Sequence, residues 1–173
     1  MAVEYLVDGL SVRLRAPHDL SWLGRFGQVF CVFDQLISGN LCFGVQEGHQ
    51  RYFIKYAGAP TLGHPGDPAL AVKRLQAADE RYERLSHPAF TRRLESFETR
   101  GGFGLVFAWF EGFALAPLES QMISLRALPY AQRFALFDSL ADFITLASRQ
   151  DYVTAGIADR NILVDFKGPA AIF

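Results

Sequence analysis

Three short stretches carry the side chains that could do chemistry. In YFIKY, residues 52–56, Lys55 is the one cation of an alternating apolar run. A strand holds such an ammonium at a fixed distance from whatever it faces, which suits neutralisation of phosphate charge; the alternative is a solvated lysine with its stem on the sheet. In SGNLCFG, residues 38–44, Gly39 and Gly44 lack the Cβ that keeps backbone N–H groups away from an anion, and Ser38 and Asn40 stand beside them. The same stretch serves equally as a plain hairpin turn. In AGIADRNILVDF, residues 155–166, the polar side chains of Asp159 and Asn161 precede a short apolar run. Asp159 has a simpler reading as a turn former that bonds its own backbone.

Other chemistries lack an anchor. His18, His49, His64 and His87 are too far apart in the expected order of elements to gather a metal. Cys31 and Cys42 form no C-x-x-C pair and read as buried free thiols. Neither G-x-S-x-G nor H-E-x-x-H occurs. The formal net charge of -1 and the scattering of Lys and Arg among acids give no electrostatic footprint for nucleic acid. A hydrophobic fraction of 50% over 173 residues suffices for a real core. No basic segment followed by an apolar one opens the chain, and no run approaches the ~18 apolar residues of a membrane span. The expectation is a cytoplasmic protein without a membrane partner.

The elements that must position these residues follow from periodicity. Between Gln28 and Gly58, QVFCVFDQL, LCFGVQ and RYFIKY read as three antiparallel strands broken at EGHQ. GAPTLGHPGDP, residues 58–68, is a loop, and its end starts a helix with Asp67 as N-cap and Pro68 at the first position. Leu75, Ala78, Tyr82 and Leu85 share one face of that helix, which stops near His87-Pro88. RRLESFETR and FGLVFAWF, parted by Gly101 and Gly102, make a second strand pair. A connector over EGFALAPLES leads to a helix opened by Pro129, in which Phe134, Phe137, Leu140, Ala141 and Ile144 line one apolar stripe. Two short apolar strands, ILVDF and AAIF, close the chain.

This order of elements is similar to that of the protein kinase-like fold. SGNLCFGV (38–45), YFIKYAGAPT (52–61) and YVTAGIADRNILVDF (152–166) resemble segments of a group of bacterial proteins described as serine/threonine protein kinases, a likeness running from about Leu20 to Phe166. It implies an α+β, protein kinase-like fold: a first lobe over 1–112 with a five-stranded antiparallel sheet and one helix, then a partial, mostly helical second lobe over 113–173. It also implies roles. Lys55 would hold the α- and β-phosphates of ATP, and the loop with Ser38, Gly39, Asn40 and Gly44 would cover the phosphates. Phe110 and Glu111, in VFAWFEG, match the hinge strand. Asn161 matches the asparagine that binds Mg.

The resemblance breaks at three places. Gly156 stands where the catalytic aspartate belongs, leaving Asp159 as a displaced stand-in. Counting back from His87, the helix acid that pairs with the lysine falls on Ala78, with Asp79 and Glu80 rotated away from it and Glu83 one turn beyond Asp79. The metal-binding aspartate, expected directly after AAIF, has no counterpart before Phe173.

The expected function is therefore a serine/threonine kinase-like domain that binds ATP and Mg, with phosphoryl transfer to a hydroxyl weak or absent. Loss of a positioned proton acceptor alone removes roughly 10²- to 10⁴-fold of rate. The alternative is a pseudokinase or kinase-like interaction module, and a third reading is a stand-alone α+β domain unrelated to kinases. An uncovered apolar face on the helix over 129–147 would invite self-association or a protein partner.

Overall fold

In the computed structural model, residues 2–115, 119–152, 161–166 and 170–172 are described. Their contacts group into two units, Met1–Arg84 with Arg93–Trp109, and Leu85–Arg92 with Phe110–Phe173. The segment Leu85–Arg92, which follows the first long helix, thus groups with the second unit.

The first unit is built on strands. β1 (Val3–Val7) and β2 (Leu10–Leu14) form a hairpin, closed by Asp8 and Gly9 at φ of 50° and 84°, the left-handed pair that a two-residue turn demands. A short 3-10 turn at Ser21–Arg25 follows. Then β3 (Gln28–Phe33), β4 (Asn40–Glu47), β5 (Gln50–Ala57), β6 (Arg93–Thr99) and β7 (Gly102–Ala108) make a five-stranded antiparallel sheet in the order β3-β4-β5-β7-β6. The three strands and the later pair read from the sequence are all present. Residues 1–27, for which the sequence suggested no strand or helix, supply Val12, Leu14, Leu20, Leu23 and Phe26 to the core.

Alternation along each strand sends successive side chains to opposite faces. Leu41, Phe43 and Val45 of β4 and Ile54 and Tyr56 of β5 pack with Val12 and Leu14 of the hairpin, with Leu23 of the 3-10 turn and with Phe26 just after it. Trp22 stacks on Tyr56 at 4.5 Å between ring centres. A polar thread crosses this cluster: His18 Nε2 and Tyr56 Oη lie 2.8 Å apart, and Tyr56 Oη and Thr99 Oγ1 2.9 Å. With partners on both sides, the buried phenol carries no unmade hydrogen bond.

α1 (Pro68–Arg84) covers the other face, burying Ala71 and Leu75. Asp67 Oδ1 accepts from Ala69 N–H at 2.9 Å, the N-cap expected of it. Leu85 and His87 lie beyond the helix, which ends three residues earlier than His87-Pro88 suggested. The loop at 58–67 is ordered by Arg15, whose Nε donates to Thr61 O at 2.9 Å and whose terminal nitrogen donates to Gly66 O at 3.0 Å.

The second unit holds α2 (Glu119–Ala127), α3 (Tyr130–Arg149) and a three-stranded sheet. β9 (Ile162–Val164) is its middle strand, between β8 (Phe113–Ala114) and β10 (Ala170–Ile172). The region read as a connector over EGFALAPLES thus contains β8 and the start of α2. Leu136, Leu140, Phe143 and Ala147 of α3 pack with Leu85, Ala89, Leu125, Ile162 and Val164.

The stripe read on α3 is mostly exposed. Of Phe134, Phe137, Leu140, Ala141 and Ile144, only Leu140 is buried. The helix is apolar on two sides, and Leu136 lies about 200° around the axis from Phe134. Periodicity identifies each stripe but not which one meets the rest of the fold.

Candidate functional site

Lys55 sits on β5, the central strand of the five, opposite Cys42 of β4 and Leu105 of β7. Since Ile54 and Tyr56 point into the hairpin-side core, alternation sends Lys55 and Phe53 to the face covered by α1. There Lys55 Nζ donates to Tyr82 Oη at 3.3 Å. The same nitrogen stands 5.6 Å from the ring centres of both Tyr82 and Phe107, and those two rings meet edge to face at 4.8 Å. The ammonium therefore rests against the negative faces of two rings.

Among the described residues no carboxylate pairs with Lys55. Asp79 is engaged by Arg93, whose terminal nitrogen donates to Oδ2 at 2.9 Å, and Glu80 and Glu83 are exposed. The residue that reaches the lysine is Tyr82, one turn beyond Ala78 on the same side of α1. Burial disfavours the ammonium, but the ionisable groups of Tyr82 and Cys42 outweigh it and hold the lysine's pKa above its ordinary value. The Cys42 thiol itself is pushed up to about 12 by burial. The site is thus a half-buried cation beside a phenol and a thiol that burial keeps protonated. An ammonium has three N–H donors, so two remain for an anion.

The turn between β3 and β4 has its own hydrogen bonding. Gly39 adopts φ of +81°, and a Cβ there would come within 2.9 Å of the His64 ring, so both its backbone and its surroundings require glycine. Gly39 N–H donates to Leu36 O at 3.2 Å, and Asn40 N–H to Ser38 Oγ at 3.4 Å. Two amides that could cradle a phosphate already have acceptors within the turn. His64 Nδ1, 3.1 Å from Ile37 O, ties the turn to the 58–67 loop.

Gly44 lies within β4 rather than in the turn, opposite Cys31 and Phe53. The register slips by one residue between Val29 and Cys31, a bulge that turns Phe30 as well as Cys31 towards Gly44. A Cβ on Gly44 would meet Cys31 Sγ at 2.5 Å and Phe30 Cζ at 2.7 Å. Phe30 packs edge-on against Trp109 at 4.8 Å, and Phe53 contacts both Trp109 and Phe107. A run of aromatic rings therefore flanks the lysine along its face of the sheet.

Ser38, Gly39, Asn40, Gly44 and Lys55 are thus brought together in the first unit. Phe110, Glu111 and Asn161 belong to the second: Phe110 O accepts from Gly112 N–H at 3.0 Å, Glu111 is exposed, and Asn161 directly precedes β9. Asp159 and Gly156 lie outside the described residues. Among the described residues no group of three or more His, Cys, Asp or Glu could hold a metal. None of Tyr82, Phe107 or Phe30 stood out from the sequence. Tyr82 could have, being on the same helix face as Ala78.

No protein-family model and no curated protein matches the sequence. Among solved structures, one titled "PpkA-294 apo form", from a bacterial Ser/Thr kinase, matches with a TM-score of 0.66 at 14% identity. The match covers 84% of this chain and 56% of that one, so this chain spans a little over half of that structure's length. The likeness is one of fold: the five-stranded sheet with its helix is compatible with a kinase N-lobe-like fold. Among the described residues no helix is long and apolar enough to cross a membrane.

Proposed function

We propose that this chain is a kinase-like domain that binds ATP through its five-stranded sheet, with phosphoryl transfer weak or absent. The observation that carries the reading is Lys55: a cation on the central strand, held by Tyr82 and Phe107, with no carboxylate partner among the described residues. With one N–H donated to Tyr82, the ammonium keeps two donors that an anion can fill. The phosphates of ATP supply that anion. Ser38 and Asn40 flank the turn that would lie beside them, and the hinge residues by resemblance are Phe110 and Glu111.

By resemblance, Asn161 would hold Mg. A site of that kind takes one or two carboxylates plus phosphate oxygens, so its occupancy depends on the nucleotide. Asp159 stands in, by resemblance, for the proton acceptor that Gly156 lacks.

A second reading, a pseudokinase that holds nucleotide without turning it over, has its own support. The lysine's partner is a phenol rather than a carboxylate, and two amides of the β3–β4 turn are already bonded. A thermal-shift titration with ATP, with and without Mg, tests what the readings share. Stabilisation should grow with ligand concentration and disappear in Lys55→Ala. No shift for either protein at millimolar ATP rejects nucleotide binding. Turnover of labelled ATP then separates the two readings, and its loss in Asp159→Asn would identify the stand-in base.

A further inference from the structure

We propose that the outward face of α3 is a seam on which a second copy of this chain docks as a parallel, in-register helix pair. Tyr130, Phe134, Phe137, Ala141 and Ile144 follow one another at spacings of four, three, four and three residues. That repeat keeps apolar side chains on one line of a supercoiled helix. The four large residues are open to solvent, at 74%, 59%, 54% and 37% exposure. The opposite stripe, Leu136, Leu140, Phe143 and Ala147, already serves the unit's own core. A helix that needs one apolar face to hold its unit together carries two. Tyr130 and Phe134 stack at 6.2 Å, so the seam starts from an ordered aromatic surface rather than from scattered side chains.

The charges beside the seam select the occupant. With Phe134 at heptad position a and Phe137 at d, Arg133 takes position g and Asp138 the following e, five residues later. In a parallel pair each g residue faces the next e residue across the interface. Arg133 then meets the partner's Asp138, and the two-fold axis repeats the contact in reverse. One sequence supplies both halves of the match, as a self-complementary interface requires. Reversing one helix separates the arginine flank from the aspartate flank. Asp138 is exposed, and Arg133 is half-buried with its Nε unpartnered among the described residues.

Sedimentation of the chain from low micromolar to submillimolar concentration tests this. A monomer–dimer equilibrium is expected, and Phe134→Glu with Phe137→Glu should abolish it without moving the urea midpoint, because both positions are exposed. Arg133→Asp should raise the dimer Kd about fivefold through its two symmetric pairs, and adding Asp138→Arg should restore it. Phe134→Cys should form a 134-to-134 disulfide, identified by mass spectrometry, because a positions face each other across a parallel pair. A monomer at every concentration would mean that something other than a second copy covers the face, and overturns the proposal. So does a dimer that survives both glutamates, or a charge swap that fails to restore affinity.

Discussion

In the sheet unit both faces of the five-stranded sheet are covered, one by the hairpin-side cluster around Trp22 and Tyr56, the other by α1. In the helical unit α3 buries one apolar stripe and leaves a second in solvent. The contrast separates two uses of apolar surface. In the sheet unit the unmatched feature is polar: Lys55, which has no carboxylate partner among the described residues. Where an apolar face has no partner within the unit, that face is the unmatched feature. The proposed anionic ligand rests on the first feature and the proposed second copy on the other.

The largest expected effect tests whether the sheet unit owes its stability to that two-sided burial. Phe43→Ala, at a fully buried position between the hairpin and the sheet, should lower the unfolding free energy by about 3–5 kcal/mol. Urea titration followed by tryptophan fluorescence measures it, since Trp22 and Trp109 both lie in the sheet unit. A loss below about 1 kcal/mol would mean that the hairpin-side cluster is loosely packed and that the contrast between the units is overstated.

A smaller effect comes from pH. Burial holds the pKa of His18 below its usual value, against the opposing pull of Asp19. The unfolded chain therefore takes up this proton first as pH falls. Stability from His18 is full above its ordinary pKa of about 6.5 and is lost as pH drops towards the depressed folded value. The urea midpoint should fall between pH 8 and pH 5 in the native chain and fall less in His18→Gln. Equal slopes for the two proteins would remove His18 as the cause.

The smallest effect belongs to the open stripe. Phe137→Ser should change the unfolding free energy of the dilute monomer by no more than about 0.5 kcal/mol. A large loss would show that this stripe, too, packs within its unit, and the difference between the two units would collapse.

Much of the sheet unit was legible in the sequence. Alternation in LCFGVQ and RYFIKY, the Gly48 break between them and the Asp67-Pro68 helix start each follow from local chemistry, and each appears where local chemistry puts it. The early hairpin was legible in principle, since Asp8-Gly9 is a two-residue turn signal between alternating strands, but it was not read. Less of the site was legible. The lysine could be found by its place in an apolar strand, while its contact with Tyr82 depends on how α1 docks on the sheet. Helix counting gave Ala78, and only the docking decided that the residue one turn later makes the contact. The bulge at Phe30 and the ring it turns over Gly44 left no mark in the local pattern, because a register slip is set by the partner strand.

The amino-acid sequence by itself determined the strands of the five-stranded sheet, the start of α1 and an apolar stripe on α3, because these follow from spacing and backbone preference within a few residues. Only the tertiary structure decided which side of α3 is buried, which face of β5 receives α1, and that a phenol rather than a carboxylate meets Lys55. Those choices turn on which surfaces come together across long separations in the chain. Local periodicity is the same for either outcome.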